Sequence, residues 1–310
     1  MRAVASGYAV PLALLFAIAL FSVLRPDTFF TADNFRTILV TQSVLIVLAL
    51  GVTVALAAGE FDLSIAALLG FSASLVAFLT STHGWSPALA LLVSLGVALA
   101  VGVTNGVFVV VFGVNSFITT LGTGTFVTGL ATAIVGATTI GGVPAAVTRP
   151  MREELLSLDL PVFYALALAL VLWFLFEHTP TGRFLFFTGE GREAARLAGV
   201  RVDRMRFGAL VTSAVFAWFA GLILVGQTGA ANTTYGVPFL LPAFAAGFLG
   251  ATTIRAGRYN VWGTVMAVLL LAVGTTGLQL LGAAGWVSDV FNGAALVLAV
   301  TLARIAAREE

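Results

Sequence analysis

The chain has no cysteine and no lysine. Without cysteine there is no disulfide framework and no thiolate metal site. Without lysine a GxxxxGK[ST] phosphate loop cannot exist, so the chain carries no such ATP-binding motif of its own. Charge of either sign is scarce, at 9% of the 310 residues, against about 25% in a typical soluble domain. No charged side chain occurs from Leu63 to Thr148, nor from Phe207 to Ile254. The net charge of +1 gives no reason to expect a nucleic-acid partner. The two histidines, His83 and His178, stand far apart without a carboxylate arrangement that would suggest a metal, and both are read as interfacial.

What is there is apolar: 60% of the residues are hydrophobic. Uncharged runs of this length are several membrane-spanning helices in series, each needing about 20 residues. Backbone groups in lipid must pair internally, which favours helices, and the alternating segments of a transmembrane barrel are absent. The predicted fold is all-α and polytopic, a single transmembrane domain over 1–310. Ten segments are predicted, near 8–24, 37–58, 63–81, 87–112, 115–136, 161–178, 208–226, 236–252, 261–281 and 286–303. Pro238 and Pro242 interrupt the eighth. Arg2 precedes an apolar run that lacks a small-x-small cleavage site, so it reads as an uncleaved anchor.

Arginine placement sets the orientation. With both termini cytoplasmic, Arg2, Arg183, Arg192, Arg196, Arg201, Arg204, Arg206, Arg255, Arg258, Arg304 and Arg308 fall inside. Arg25, Arg36, Arg149 and Arg152 fall outside, a bias of eleven to four. Six of the fifteen arginines lie between Thr181 and Arg206. In this island Pro180 ends the sixth helix and Gly182 allows a turn. A short helix is predicted over Glu190–Ala198, with Glu190 and Glu193 in its first turn and Arg196 in its last. Gly199 stops it. Arg192 and Arg196 share a face, and Glu193 can pair with Arg196. Nine residues are marginal as a free helix, so it needs a partner surface. Ala194, Ala195, Leu197 and Ala198 suit a protein groove better than lipid. Arg201, Arg204 and Arg206 are expected only to hold the next helix at the inner surface.

Thr181-Gly182-Arg183, Gly189 and the run from Glu193 to Arg204 resemble the signature loop of ribose/xylose/arabinose-type ABC importer permeases. Gly59-Glu60-Phe61-Asp62-Leu63-Ser64 is similar to that family's GxxDLS turn, and Asn115–Thr123 to its PFIxTLGT segment. Trp262-Gly263-Thr264 and Gly277–Gly282 match its C-terminal pattern. Two departures are the arginines Arg255 and Arg258, where glycines are common, and Asn115 before Ser116. The resemblance implies about ten helices per subunit and pairing with a second permease chain, identical or different. It also implies two cytoplasmic ATPase subunits, which would use the ATP and Mg, and an external sugar-binding protein. No cofactor is expected on this chain. Residues 179–207 would be the cytoplasmic coupling loop, its helix seated in a cleft on the ATPase with Arg192 and Arg196 in contact.

Candidate contacts along a sugar path are Gln42, Asn115, Ser116, Phe117, Thr119 and Thr120. Against this, Ser and Thr in membrane helices often bond to neighbouring helices, and Gly102 and Gly106 read as a packing contact. Asp62 is read as the N-cap of the third helix rather than an ion site, with Glu60 facing water beside it. The outer loop from Gly136 to Leu160 reads equally as a docking surface or a solvated loop. The competing class is an ion-coupled secondary transporter of a small polar solute, which would need ionisable groups at membrane depth. A membrane hydrolase would need a nucleophile–base pair or metal. On these readings, a bulky charged residue at Ala195 should leave the fold intact but uncouple hydrolysis from uptake. Thiols at Ser116 and Thr120 should show substrate-dependent labelling.

Overall fold

The computed structural model describes residues 8–255 and 257–306. A helix occupies each of the ten predicted segments. In chain order these are α1 (Ala9–Leu24), α2 (Ala32–Ala57), α3 (Ile65–Ala77), α4 (Pro87–Gly106) and α5 (Ser116–Val135). π turns prolong α3 over Phe78–Thr82 and α4 over Val107–Val111. A short α6 (Ala145–Thr148) and a hairpin, β1 (Glu154–Leu155) with β2 (Leu158–Asp159), fill the outer loop. Then come α7 (Leu160–His178), α8 (Pro180–Glu190), α9 (Arg192–Leu197) and α10 (Val202–Thr228). The chain continues with α11 (Leu240–Gly250), α12 (Val261–Leu280) and α13 (Trp286–Ala306). Seven are long and apolar enough to cross a membrane: α2, α3 and α4 with their extensions, α5, α7, α10 and α12. The remaining predicted spans, α1, α11 and α13, have shorter apolar stretches.

Local chemistry explains the boundaries. Thr31, Ser86, Asn115 and Asn260 each accept a hydrogen bond from a first-turn N–H, closing the starts of α2, α4, α5 and α12. Pro238 lies in a 3₁₀ turn over Val237–Phe239, and Pro242 lies in the first turn of α11. At those positions a helix has no use for the missing N–H, so the two prolines shorten the eighth segment without abolishing it.

α10 is the hub, packed against α2, α3 and α4. Small residues make this possible, as expected where helices associate in lipid. A Cβ at Gly102 would stand 2.9 Å from Ala214, and one at Gly106 would meet the Phe207 ring. The expected Gly102/Gly106 contact is therefore real, with α10 as partner. α4, α5 and α7 leave Phe108, Phe126 and Phe174 outward, where a bilayer would cover them.

Polar links join residues far apart in the chain. Arg255 pairs with Glu177 at the end of the bundle expected to face inward. At the outer end, Arg36 donates to Glu154 at 2.5 Å and to Asp159 at 3.0 Å. Arg2 and Arg308 lie outside the described residues, as does the side chain of Arg304. The outer loop is more ordered than a solvated connection. Its hairpin is pinned by Arg36, and Arg152 Nε donates to the Gln227 carbonyl at 3.0 Å. Ile140 pairs with Ala231 across the mouth.

Gly236 generates a test. A Cβ there would lie 1.8 Å from the Ala66 carbonyl oxygen, a backbone atom that cannot turn aside. G236A should cost at least about 1–3 kcal/mol and lower the melting temperature in detergent. G129A points into open space and should melt at or above the parent value.

Candidate functional site

The arginine-rich island folds into two helices. The break between α7 and α8 is made by Thr179, whose hydroxyl accepts from Gly182 N, and by Pro180 at the first helical position. Gly182 is therefore not the turn. It lies within α8, where a Cβ would stand 2.4 Å from the Phe176 carbonyl oxygen. Thr181 and Arg183 are exposed on the first turn of α8. The helix expected over Glu190–Ala198 is shorter: Glu190 closes α8, Gly191 is extended, and α9 spans only Arg192–Leu197. Glu193 and Arg196 occupy its first and last turns as expected. Gly199 takes the left-handed conformation at φ +83°, and Val200 N closes the turn on Ala195 O at 2.9 Å.

Two expectations about this helix fail. Arg196 donates to Asp203 at 2.7 Å, not to Glu193, because α10 begins within reach. Ala195 is fully buried, packed with Val200 and Val202 as the island's own core. A charged side chain there would unfold the island rather than leave it intact, so the Ala195 expectation is withdrawn. Arg192 reaches the α2–α3 turn while 45% of its side chain stays exposed. The exposed surface of α9 and its C-cap is Arg192, Glu193, Ala194, Arg196, Leu197 and Ala198, with Leu197 91% exposed.

Arg192 turns inward to meet Glu60. Its Nη2 donates to Glu60 Oε1 at 2.7 Å and to the Gly59 carbonyl at 3.2 Å. Arg206, on α10, donates Nε to the same Glu60 oxygen and Nη2 to Val109 O at 3.4 Å. Glu60 is 1% exposed, so the expectation that it faces water is wrong. Arg206 is buried too, and does more than hold a helix at the surface. Arg201 and Arg204 are exposed, as expected. Close approach of two glycines permits the contact. Gly59 adopts φ +73°, and a Cβ at Gly189 would stand 2.3 Å from Ala57 O.

The expected path residues converge on this same turn, but as supports. Ser116 Oγ accepts from Phe61 N at 3.1 Å, and Thr120 Oγ1 accepts from Leu63 N at 3.0 Å. Thr120 also donates to Phe61 O and Ser116 O. Asn115 caps α5 through its carbonyl oxygen. Phe117 packs edge-on against Phe61, with ring centroids 6.2 Å apart. Thr119 Oγ1 is buried without a partner. Gln42 stands apart from all of these, about 22 Å along α2 from its inner end. Near it an outer pocket of about 340 Å³ is lined by Thr41, Arg152, Asp159, Gln227, Thr228 and Phe239. Arg152, Asp159 and Gln227 are each already engaged within the protein.

Asp62 is also buried, and the N-cap position of α3 falls to Ser64 rather than to Asp62 as expected, because the helix starts only at Ile65. Asp62 Oδ1 accepts from Ser64 N at 3.1 Å and Ser64 Oγ at 2.5 Å, and Ser64 Oγ in turn accepts from Asn105 Nδ2 at 2.9 Å. Asp62 Oδ2, Asn105 Oδ1 and Ser213 Oγ are buried without partners. Burial pushes the Asp62 carboxyl above its ordinary value, against the lowering effect of its bonds from Ser64. His83 and His178 pack on aromatic rings, and no metal-ligand cluster occurs among the described residues.

Missing from the sequence reading are Glu60, Arg206 and the rings beside Phe61. Phe244 and Phe248 of α11 each lie 6.3 Å from Phe61. The available signal was Glu60 itself, a carboxylate standing with Asp62 between an uncharged run from Thr37 to Gly59 and an 86-residue one from Leu63 to Thr148.

Residues 34–300 match the family described as branched-chain amino acid transport system / permease component. The autoinducer 2 import system permease protein LsrD of Photorhabdus laumondii is 30% identical over 302 residues, spanning 94% of this chain and 89% of that protein. The D-allose transport system permease protein AlsC of Escherichia coli is 29% identical over 294 residues, spanning 94% and 90%. No solved structure matches the chain.

The two ion pairs of Glu60 predict different costs. E60Q strands Arg206 in the interior and should destabilise by about 3–5 kcal/mol. R192A removes a half-exposed partner while Glu60 keeps Arg206, and should cost no more than about 1 kcal/mol. Chemical or thermal denaturation in detergent separates these outcomes. Asp62 gives a pH test. Below its ordinary value of 3.8 both folded and unfolded chains hold the proton. Above it the unfolded chain ionises first, so stability falls with rising pH until the raised native value is passed. D62N should therefore gain stability over the parent chain as pH rises from that point. A gap that shrinks with rising pH would contradict the assignment.

Proposed function

Because this chain belongs to the family of branched-chain amino acid transport system permease components, we propose that it is the membrane-spanning subunit of an ATP-binding-cassette importer for a monosaccharide or a related small polar solute. It is a multi-pass protein of the bacterial inner membrane, with about ten membrane helices and both termini cytoplasmic. Relatives named for D-allose and autoinducer 2 support that solute class. Hydrolysis falls to two separate ATPase subunits on the cytoplasmic side, which hold ATP and Mg. An external binding protein delivers the solute, and a second permease chain completes the path.

The observation that carries the reading is α9. A six-residue helix ends on a leucine that is 91% exposed, while its own alanine core and Arg192 fix it to the membrane domain. A short helix so held, with an apolar tip outward, suits a cleft on a partner protein. The coupling loop is 179–207, and its contact surface is Glu193, Ala194, Arg196, Leu197 and Ala198 rather than the full Thr181–Gly199 run. ATP binding would close the ATPase pair and move α8 and α9. That movement would switch the membrane helices between outward-open and inward-open states.

Reconstitution with the ATPase and binding-protein subunits tests this reading. ATP hydrolysis should rise with the cognate sugar, and solute uptake without any ATPase would overturn it. L197D should weaken ATPase binding by about 2 kcal/mol or more while the melting temperature of the permease alone stays unchanged. Undiminished co-purification of the ATPase with L197D would remove α9 from the interface.

A further inference from the structure

Four phenylalanine rings meet at the inner end of the fold, beside the Glu60 clamp. Phe61 stacks on Phe244 and packs against Phe117 and Phe248, and Phe248 continues to Tyr259. They come from three places in the chain: the α2–α3 turn, the start of α5, and α11. Phe61 and Phe117 keep 37% and 47% of their surface open, while Phe244 behind them is 6% exposed. The rings make no hydrogen bond to one another, so they can part without breaking one. A sugar, which needs hydrogen-bonding partners, finds none on their faces. The backbone that carries Phe61 is by contrast held by Ser116 and Thr120, and the neighbouring side chain, Glu60, is held by two arginines.

Those arginines are not equivalent. Arg206 is buried on α10 and cannot leave Glu60 without stranding its own charge. Arg192 is 45% exposed and belongs to a six-residue helix outside the membrane domain. Its exposed end can follow α9 while the buried Glu60 carboxylate keeps it paired. A displacement of α9 therefore reaches the turn through Arg192, and Phe61 is the next residue along.

We propose that Phe61, Phe117, Phe244 and Phe248 form the inner gate of the translocation path, and that the Arg192–Glu60 ion pair is the handle by which α9 moves it. This rests on the reading of α9 as the ATPase contact. Arg192 is then a positioning residue, acting on the gate through Glu60 and the turn.

The absence of cysteine makes a direct test clean. Single substitutions Phe244→Cys and Leu197→Cys are made in the full chain, co-expressed with its ATPase subunits in inside-out vesicles. Labelling by a membrane-impermeant maleimide is timed without nucleotide and during ATP turnover. Phe244→Cys should label slowly at rest and several-fold faster during turnover. Adding Arg192→Gln should abolish that difference. Phe248→Cys, at a half-buried position, reports the same event should Phe244→Cys fold poorly. Leu197→Cys should be protected whenever the ATPase is bound. If Leu197→Cys is protected but both gate positions ignore nucleotide, the gate is wrong and the importer reading stands. If Leu197→Cys is never protected, both fall. A nucleotide response that survives Arg192→Gln overturns the handle.

Discussion

A buried carboxylate shared by two arginines organises the inner end of this protein. Glu60 accepts from Arg192 and Arg206 on one oxygen while almost wholly withdrawn from solvent. An unpaired charge there would be costly, so wherever Glu60 goes a guanidinium must follow. That single requirement ties the α2–α3 turn to α10 from within and to α9 from without. The backbone contact of Gly59 with Gly189 is its geometric counterpart. Any side chain at Gly189 would push α8 off the Ala57 carbonyl and draw Arg192 away from the acid.

The same end shows how polar side chains are used in a chain with so few of them. Residues between α2 and α3 leave the helical pattern, so their N–H groups need partners. Ser116 and Thr120 provide acceptors for Phe61 and Leu63. Asn260 does comparable work between α11 and α12. Its Nδ2 donates to Gly250 O and Thr253 O, and its Oδ1 accepts from Gly263 N. Thr53 and Thr264 then join α2 to α12 at 2.9 Å. Ser116 and Thr120 look like a lining for a polar solute in the sequence. In the fold they are largely spent on closing turns.

That difference marks what could be read from residues alone. Ten apolar segments, the stop at Gly199 and the Gly102/Gly106 contact all follow from local pattern. They are properties of one helix or one loop. Glu60 could not be placed that way, since its partners lie 132 and 146 positions along the chain. Ala195 was misread for a related reason. A six-residue helix has too few turns to display a periodic face, and its inner side is decided by Val200 and Val202, which follow it. Likewise Asp62 has the residue type of a cap but lies two residues before the cap position at Ser64, and only its burial shows the extra demand on its carboxyl.

The distribution of satisfied and unsatisfied groups also bears on how such a subunit would handle a solute. Ser116, Thr120 and the Asn115 carbonyl have partners already, and the rings beside them offer only apolar faces. A solute passing this end would find few free hydrogen-bond donors or acceptors, so it would be held weakly there. Weak holding favours release, because tight ground-state binding in a conduit slows exit. Under the proposed importer function, discrimination between sugars then belongs mainly to the external binding protein. The inner end contributes a barrier that opens or closes. A barrier of rings beside a rigid hydrogen-bonded turn separates the two tasks physically: the turn keeps its backbone bonds, and only the ring contacts, which have no bonds to lose, need to change.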